Sequence, residues 1–276
     1  MHSTAELHPA AAAGENFPVA LRVLPAATRT DLLAVYDVVR TIDELGDSAE
    51  GDRTALLQEF SADLHRVWTA RPGHPALVGL VPTARRRRLP EQPFQDLVAA
   101  NLMDQRVGTY ETWDDLLGYC ALSAAPVGRL VLALFGESTP SRVERSDRVC
   151  TALQLLEHWQ DVGEDRRAGR VYLPQEDLRA WGVLESDLDR LAATPALRAL
   201  VLHETDRAAQ LLSAGASLTR ELHGWARLAV TGYVAGGWAT VDALRRSGGD
   251  VLSATPRPQR RDAVRHGLRH LLRRAA

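Results

Sequence analysis

Lysine is absent from the 276 residues, so all 33 fixed cations are arginine; isoleucine occurs once (Ile42) and asparagine twice. Against 35 acidic side chains the formal charge is −2, which excludes the strongly basic surface of a nucleic-acid-binding domain. The surplus of alanine, leucine and arginine is that of a GC-rich coding background, so the arginines are not in themselves a functional signal. Cysteine is nearly missing too. Cys120 and Cys150 stand apart with no C-x-x-C spacing, which excludes a disulfide framework and reads as small buried hydrophobes in a reducing cytoplasm. Residues 1–13 lack the basic start and apolar run of a signal peptide. The longest uncharged stretches, Leu116–Gly128 and Leu228–Val241, fall short of the ~20 residues of a spanning helix. The expected location is cytoplasmic, soluble or peripheral at the inner face of the membrane.

What is present is helix. Period-2 alternation and β-branched clusters are missing almost throughout, and the pattern predicts an all-α protein. Helices are expected over Thr28–Asp47, Leu56–Trp68, Pro93–Met103, Trp113–Phe135 (interrupted at Pro126), Ser141–Arg167 as the longest uninterrupted one, 196–223, 225–246 and 256–274. Pro72, Gly73, Pro75 and Pro82 are expected to break the chain before an exposed arginine run, Arg85–Arg88. No repeat and no long linker divide the chain, which reads as a tail over 1–14, one domain over 15–255, and a basic helix or tail over 256–276. That last segment interleaves Arg257, Arg260, Arg261, Arg265, Arg269, Arg273 and Arg274 with Val264, Leu268, Leu271 and Leu272. It could dock on anionic lipid or be a solvated helix coloured by the composition.

Two polar stripes conflict with ordinary amphipathic patterning. Leu32, Leu33, Val35, Val38, Val39, Ile42 and Leu45 cover most of the first helix, which should therefore be largely buried. Yet Tyr36, Arg40, Asp43 and Asp47 recur at i, i+4, i+7 and i+11, within about 60° of one line. In the 141–167 helix Gln154, Glu157, Asp161 and Asp165 form a second line, and His158, about 100° away from Glu157, reads as a packed helical histidine. Bare carboxylates resist burial and repel when stacked; a shared divalent cation removes both penalties. An all-oxygen ligand set without Cys or His at zinc spacing selects Mg²⁺ or Mn²⁺. Two facing D-x-x-x-D helices could then clamp a diphosphate. The other reading is a pair of solvated helix faces closed by Arg40 and Arg166 in surface ion pairs, which contribute little.

Gln154-Leu-Leu-Glu-His-Trp-Gln-Asp161-Val-Gly-Glu-Asp165, followed by Gly169-Arg-Val-Tyr-Leu-Pro174, resembles the signature of the squalene and phytoene synthase family. Tyr36 through Thr41-Ile-Asp43-Glu-Leu-Gly-Asp47 resembles its first aspartate-rich motif, and Tyr119-Cys-Ala-Leu-Ser-Ala-Ala-Pro126-Val-Gly128 extends the likeness, which covers roughly 15–255. Glu15-Asn-Phe-Pro-Val-Ala20, Pro93-Phe-Gln-Asp-Leu97, Trp159-Gln-Asp161 and Asp250-Val-Leu-Ser253 are similar to the hopanoid-pathway branch, the hydroxysqualene synthases. One departure is Glu157, where the family usually has asparagine.

The resemblance implies an isoprenoid-synthase-like helical bundle around a long apolar cavity. It further implies an enzyme that ionises presqualene diphosphate and traps the rearranged cation with water as hydroxysqualene. The alternatives are head-to-head prenyl transfer from farnesyl diphosphate or another prenyl diphosphate, giving presqualene diphosphate, squalene or phytoene, and a non-catalytic scaffold. Mg²⁺ would be held by Asp43, Asp47, Glu157, Asp161 and Asp165. Arg40, Arg166 and Arg170 would contact diphosphate; Phe17, Tyr36 and Tyr119 would present ring faces to the carbocation; Gly128 and Tyr172 would line the site; and Gln154 would orient water or pyrophosphate. A presqualene diphosphate synthase is the implied functional partner. No G-x-G-x-x-G after a strand is present, and no NADPH site is expected.

Overall fold

The structure, a computed structural model describing residues 24–272, is a bundle of α-helices; its one β-type contact among the described residues is an isolated bridge between Thr109 and Val171. Phe17, the Glu15–Ala20 motif, Arg273 and Arg274 lie outside the described residues. The order is α1 (Ala26–Asp47), α2 (Arg53–Thr69), α3 (Pro75–Arg87), α4 (Gln92–Asp104), α5 (Trp113–Ser123), α6 (Ala125–Phe135), α7 (Pro140–Gln160) and α8 (Val162–Arg167). It continues through α9 (Gln175–Ala180), a 3₁₀ turn (Glu185–Asp189), α10 (Pro195–Gly215), α11 (Leu218–Glu221), α12 (Gly224–Arg246) and α13 (Arg260–Leu272).

Local chemistry sets most boundaries. Asp52 caps α2 by accepting from Ala55 N, and Thr112 opens α5 in a reciprocal box with Asp115. Gly136, left-handed at φ 69°, ends α6. Two apolar cores result. Leu32, Val35, Val38 and Ile42 of α1 pack with Leu57, Leu64, Leu80 and Phe94 in the N-terminal one. The other is built around Leu155, Leu156 and Trp159 of α7, with Leu197, Leu200 and Leu212 of α10. The Trp113–Phe135 stretch, 23 residues long, is apolar enough by length and composition to cross a membrane, which the uncharged-run count did not anticipate. It breaks at Ala124, ahead of Pro126, into α5 and α6, and 56% of its most apolar window is buried in the core.

The expected loop ahead of Arg85–Arg88 is instead helix α3, with Pro75 at its first turn and Pro82 inside it. Pro82 is exposed, so the carbonyl it leaves without a donor can turn to water. Leu77, Leu80 and Ala84 anchor the opposite side. The arginines serve the fold, because they answer a buried acid. Arg87 Nε donates to Asp31 Oδ2 at 2.7 Å, Arg86 also pairs with Asp31, and Thr83 donates to it at 3.1 Å. Burial alone would raise the Asp31 pKa, but these donors hold it below the ordinary carboxylate value. The helix expected over 141–167 is also divided, at Asp161.

Candidate active site

The C-terminal end of α1 meets the segment that follows α8. Gly169 adopts φ 81°, a left-handed turn open to glycine, and reverses the chain out of α8. Val171 N then donates to Gly108 O at 2.7 Å, and Gln175 N to Tyr110 O at 2.9 Å. These bonds lay 108–111 alongside 171–175, so Tyr110 stacks on Tyr172 with ring centroids 5.8 Å apart. Tyr119 from α5 closes the group, 5.3 Å from Tyr110 and 5.7 Å from Tyr172.

Around these rings the polar groups converge. Arg170 reaches Asp47 of α1 at 3.5 Å. Tyr119 donates its hydroxyl to Asp104 Oδ2 at the end of α4, 3.0 Å away. His158 lies flat on Tyr172, centroids 3.6 Å apart and planes 15° off parallel, a contact of about 0.5–1.5 kcal/mol for aromatic pairs. The Gln154 amide donates to His158 Nε2 at 3.1 Å, which leaves the Nδ1 proton facing Asp165 Oδ2 at 3.7 Å.

Burial and like charge shift the titrations. Asp104 is pushed up to about 6 by burial; the charges of Asp47 and Asp165 add to this, against the Tyr119 hydroxyl and Arg170. Asp161 is raised by burial, then by Glu164 and Asp165. Burial pushes Tyr172 up to about 12, raises Tyr110 and Tyr119 further, and lowers His158 against the pull of Asp165. The tyrosines are thus neutral hydroxyl donors and His158 a neutral imidazole near pH 7. Arg170 is held protonated because Tyr172, Asp47 and Asp104 outweigh its own burial.

The structure brings Asp47, Asp165, Gln154, Tyr119, Arg170 and Tyr172 together. Asp43 and Tyr36, both half-buried, stand earlier on α1, and Asp161 sits at the α7–α8 junction. Glu157 is exposed on α7. Arg40 pairs with Glu44 at 3.0 Å along α1, with both side chains about half exposed. Two residues go elsewhere. Arg166 is held by Asp189 at 2.8 Å and Glu185 at 2.5 Å, tying α8 to the 3₁₀ turn. Gly128 lies at the α6–α7 crossing, where an added Cβ would come within 2.4 Å of Ser146 Oγ and 2.6 Å of Cys150 Sγ. It serves helix approach.

Sequence reasoning missed Asp104, Tyr110 and the place of His158. No periodicity singles out the first two. For His158 a signal existed: Gln154, His158, Asp161 and Asp165 repeat the i, i+4, i+7, i+11 spacing of Tyr36, Arg40, Asp43 and Asp47, which Glu157 does not.

The donor set suits a hard divalent ion. Its oxygens come from two banks, and the buried Asp104 Oδ1 between them has no hydrogen-bond partner. Among the described residues no three His, Cys, Asp or Glu side chains already form a closed cluster. A hard ion such as Mg²⁺ takes one or two carboxylates and completes its shell with water and phosphate oxygens. The void lined by His158, Asp165, Arg170, Tyr172 and Leu188 measures about 10 Å³, room for about one water molecule. It is therefore not the long apolar cavity that the resemblance implies.

The family profile described as squalene/phytoene synthase matches residues 10–264. A hydroxysqualene synthase of Rhodopseudomonas palustris is 36% identical over 209 residues, covering 75% of this chain and 71% of its own. A 15-cis-phytoene synthase of Synechococcus elongatus is 33% identical over 208 residues, covering 70% and 68%. The crystal structure of squalene synthase HpnC from Alicyclobacillus acidocaldarius superposes with a TM-score of 0.82 at 38% identity, over 86% of this chain and 90% of that one.

Proposed function

The chain belongs to the squalene/phytoene synthase family, and from that premise we propose that it ionises presqualene diphosphate and releases hydroxysqualene and diphosphate. The observation that carries this reading is the meeting of the two aspartate banks at Arg170, against a wall of neutral aromatic rings. The likeness to a hydroxysqualene synthase supports the choice of product.

In the proposed reaction the carbon–oxygen bond to diphosphate breaks and the leaving group departs with the electron pair. The carbocation rearranges, a water oxygen adds to it, and one water proton is released. Mg²⁺, or Mn²⁺ in its place, would be held by Asp43 and Asp47 on one side and Glu157, Asp161 and Asp165 on the other, and when bound supplies Lewis-acid neutralisation of the diphosphate. Arg170 stands between the banks as a fixed cation and a two-pronged donor to phosphoryl oxygens; Arg40 can swing from Glu44 to the same group. Tyr119 presents its ring to the cation, a stabilisation of ~1–2 kcal/mol, and Tyr36 does so from α1, while Tyr172, stacked between His158 and Tyr110, stiffens the wall behind them. Burial keeps the Tyr119 and Tyr172 hydroxyls neutral, so they do not quench it as phenolates. Gln154, fixed by His158, orients the one water that is retained.

The test is to incubate purified protein and Mg²⁺ separately with presqualene, farnesyl and geranylgeranyl diphosphates, without NADPH. Hydroxysqualene from presqualene diphosphate alone is the expected product. The likeness to a phytoene synthase favours a second reading, head-to-head prenyl transfer at the same site; phytoene from the C20 substrate would establish it and overturn the first.

A further inference from the structure

Helix α13 is amphipathic the wrong way round for a helix that merely completes the bundle. The side turned to the protein is polar. Asp262, the buried residue of the helix, accepts from Arg246 at 2.7 Å, and His266 meets Asp242 Oδ2 at 2.8 Å, as does Arg265 at 2.7 Å. The side turned away is apolar: Val264, Leu268, Leu271 and Leu272 are 60%, 53%, 38% and 78% exposed. At i, i+4, i+7 and i+8 they span about 100° of the helix, opposite His266. The strip continues onto α12, because Arg227 donates to the Leu271 carbonyl at 3.0 Å and its neighbours Trp225 and Leu228 are 39% and 41% exposed.

Such a strip in water implies an occupant, and the flanking charge says which. Arg257, Arg260, Arg261, Arg265 and Arg269 are all exposed along it. Beside the start of α13, Arg245, Arg246, Arg261 and Arg265 line an open cavity of about 580 Å³ with Asp242 and Asp262; Arg246 pairs with Asp262, Arg265 with Asp242 and Arg245 with Asp206, so Arg261 is the surplus cation there. A second copy of this chain would bring the same cations against these in a symmetric pairing. An anionic surface with an apolar interior meets both features, with headgroups at the arginines and acyl chains under the leucines.

We propose that the outer face of α13, continued by Trp225 and Leu228 of α12, docks the protein on the surface of an anionic lipid bilayer. This face shares no residue with the aspartate site, so its failure would leave the proposed reaction untouched. The test is co-sedimentation of the full chain with vesicles of phosphatidylcholine, alone or mixed with phosphatidylglycerol. Binding to the anionic vesicles is expected to be at least about tenfold tighter and to weaken with added salt. Leu268→Glu with Leu272→Glu should reduce that binding by about tenfold or more, while circular dichroism and Tm stay as in the wild type, because both side chains are exposed. Arg261→Gln with Arg269→Gln should narrow the difference between the two vesicle types. Equal binding to both vesicles, or full binding by the double glutamate variant, overturns the proposal. So does a concentration-dependent dimer that the glutamate variant abolishes, which would give the face to a second copy.

Discussion

Asp47 closes an unbroken 22-residue helix and its side chain is 55% exposed, whereas Asp165 follows a break at Asp161 and is 23% exposed, beside His158 and the ring of Tyr172. The same residue spacing has therefore produced two kinds of bank. The second is fixed: α7, which leads into it, is welded into the core by Leu155, Leu156 and Trp159, and Gln154 and the ring of Tyr172 hold the imidazole of His158. The first is an open rim, tied across the site through Arg170. In the proposed reaction the open rim would admit the charged head group and the fixed wall would hold it, and the expected effects of substitution follow that division.

The largest losses should come from removing a carboxylate on either side. Asp165→Asn, Asp161→Asn, Asp47→Asn and Asp43→Asn are each expected to lower kcat on presqualene diphosphate by at least about 10²-fold, with the fold retained because a like charge has been relieved. Wild-type turnover in both α1 variants would reduce the first bank to a solvated surface. Next comes the bridge: Arg170→Gln should lower kcat/KM by about tenfold, mostly through KM, since the bidentate donor is lost while the carboxylates remain. A loss confined to kcat would place Arg170 in the bond-breaking step instead.

A smaller effect, on stability, should come from Asp104, which faces both banks. Its folded-state value of about 6 lies above the ordinary 3.8. The metal-free protein thus has the full contribution of the protonated carboxyl below about pH 4 and loses it as pH rises through 6. Asp104→Asn removes that slope, so Tm should fall less between these limits, by about 4 °C; a thermal profile parallel to the wild type would mean that Asp104 is solvated. The smallest effect is expected at Glu157. Glu157→Asn should shift the Mg²⁺ concentration for half-maximal activity by about threefold while kcat holds, and an unchanged requirement would remove Glu157 from the ligand set.

The helical class and most helix extents were legible because they rest on local periodicity, on the 3.6-residue repeat and on proline punctuation such as Pro126; the spacing of the two aspartate rows was legible for the same reason, but not the break at Asp161 within the second. What was hidden depends on distant partners. Pro82 could stay inside α3 because its side faces water and because Arg86 and Arg87 answer Asp31, more than 50 residues earlier. Arg166, plausible as a phosphate ligand from its place after Asp165, is drawn away by Asp189 and Glu185, which no helical repeat connects to it. Asp104 enters the site because α4 ends there and Tyr119 reaches back to it. The break at Asp161 follows no proline, and no local signal in the sequence marks it.

The contact of Arg170 with Asp47 has a consequence for the order of events. The Arg170 guanidinium, held protonated by Tyr172, Asp47 and Asp104, already neutralises part of the acidity around Asp47 from within. In the proposed reaction, metal arriving by itself would have to evict that internal counterion, and pyrophosphate arriving by itself would have to compete for it with Asp47. Arriving jointly, each would free the place the other needs, so their affinities would be reciprocally linked, and the arginine would make the cleft a detector of the pair.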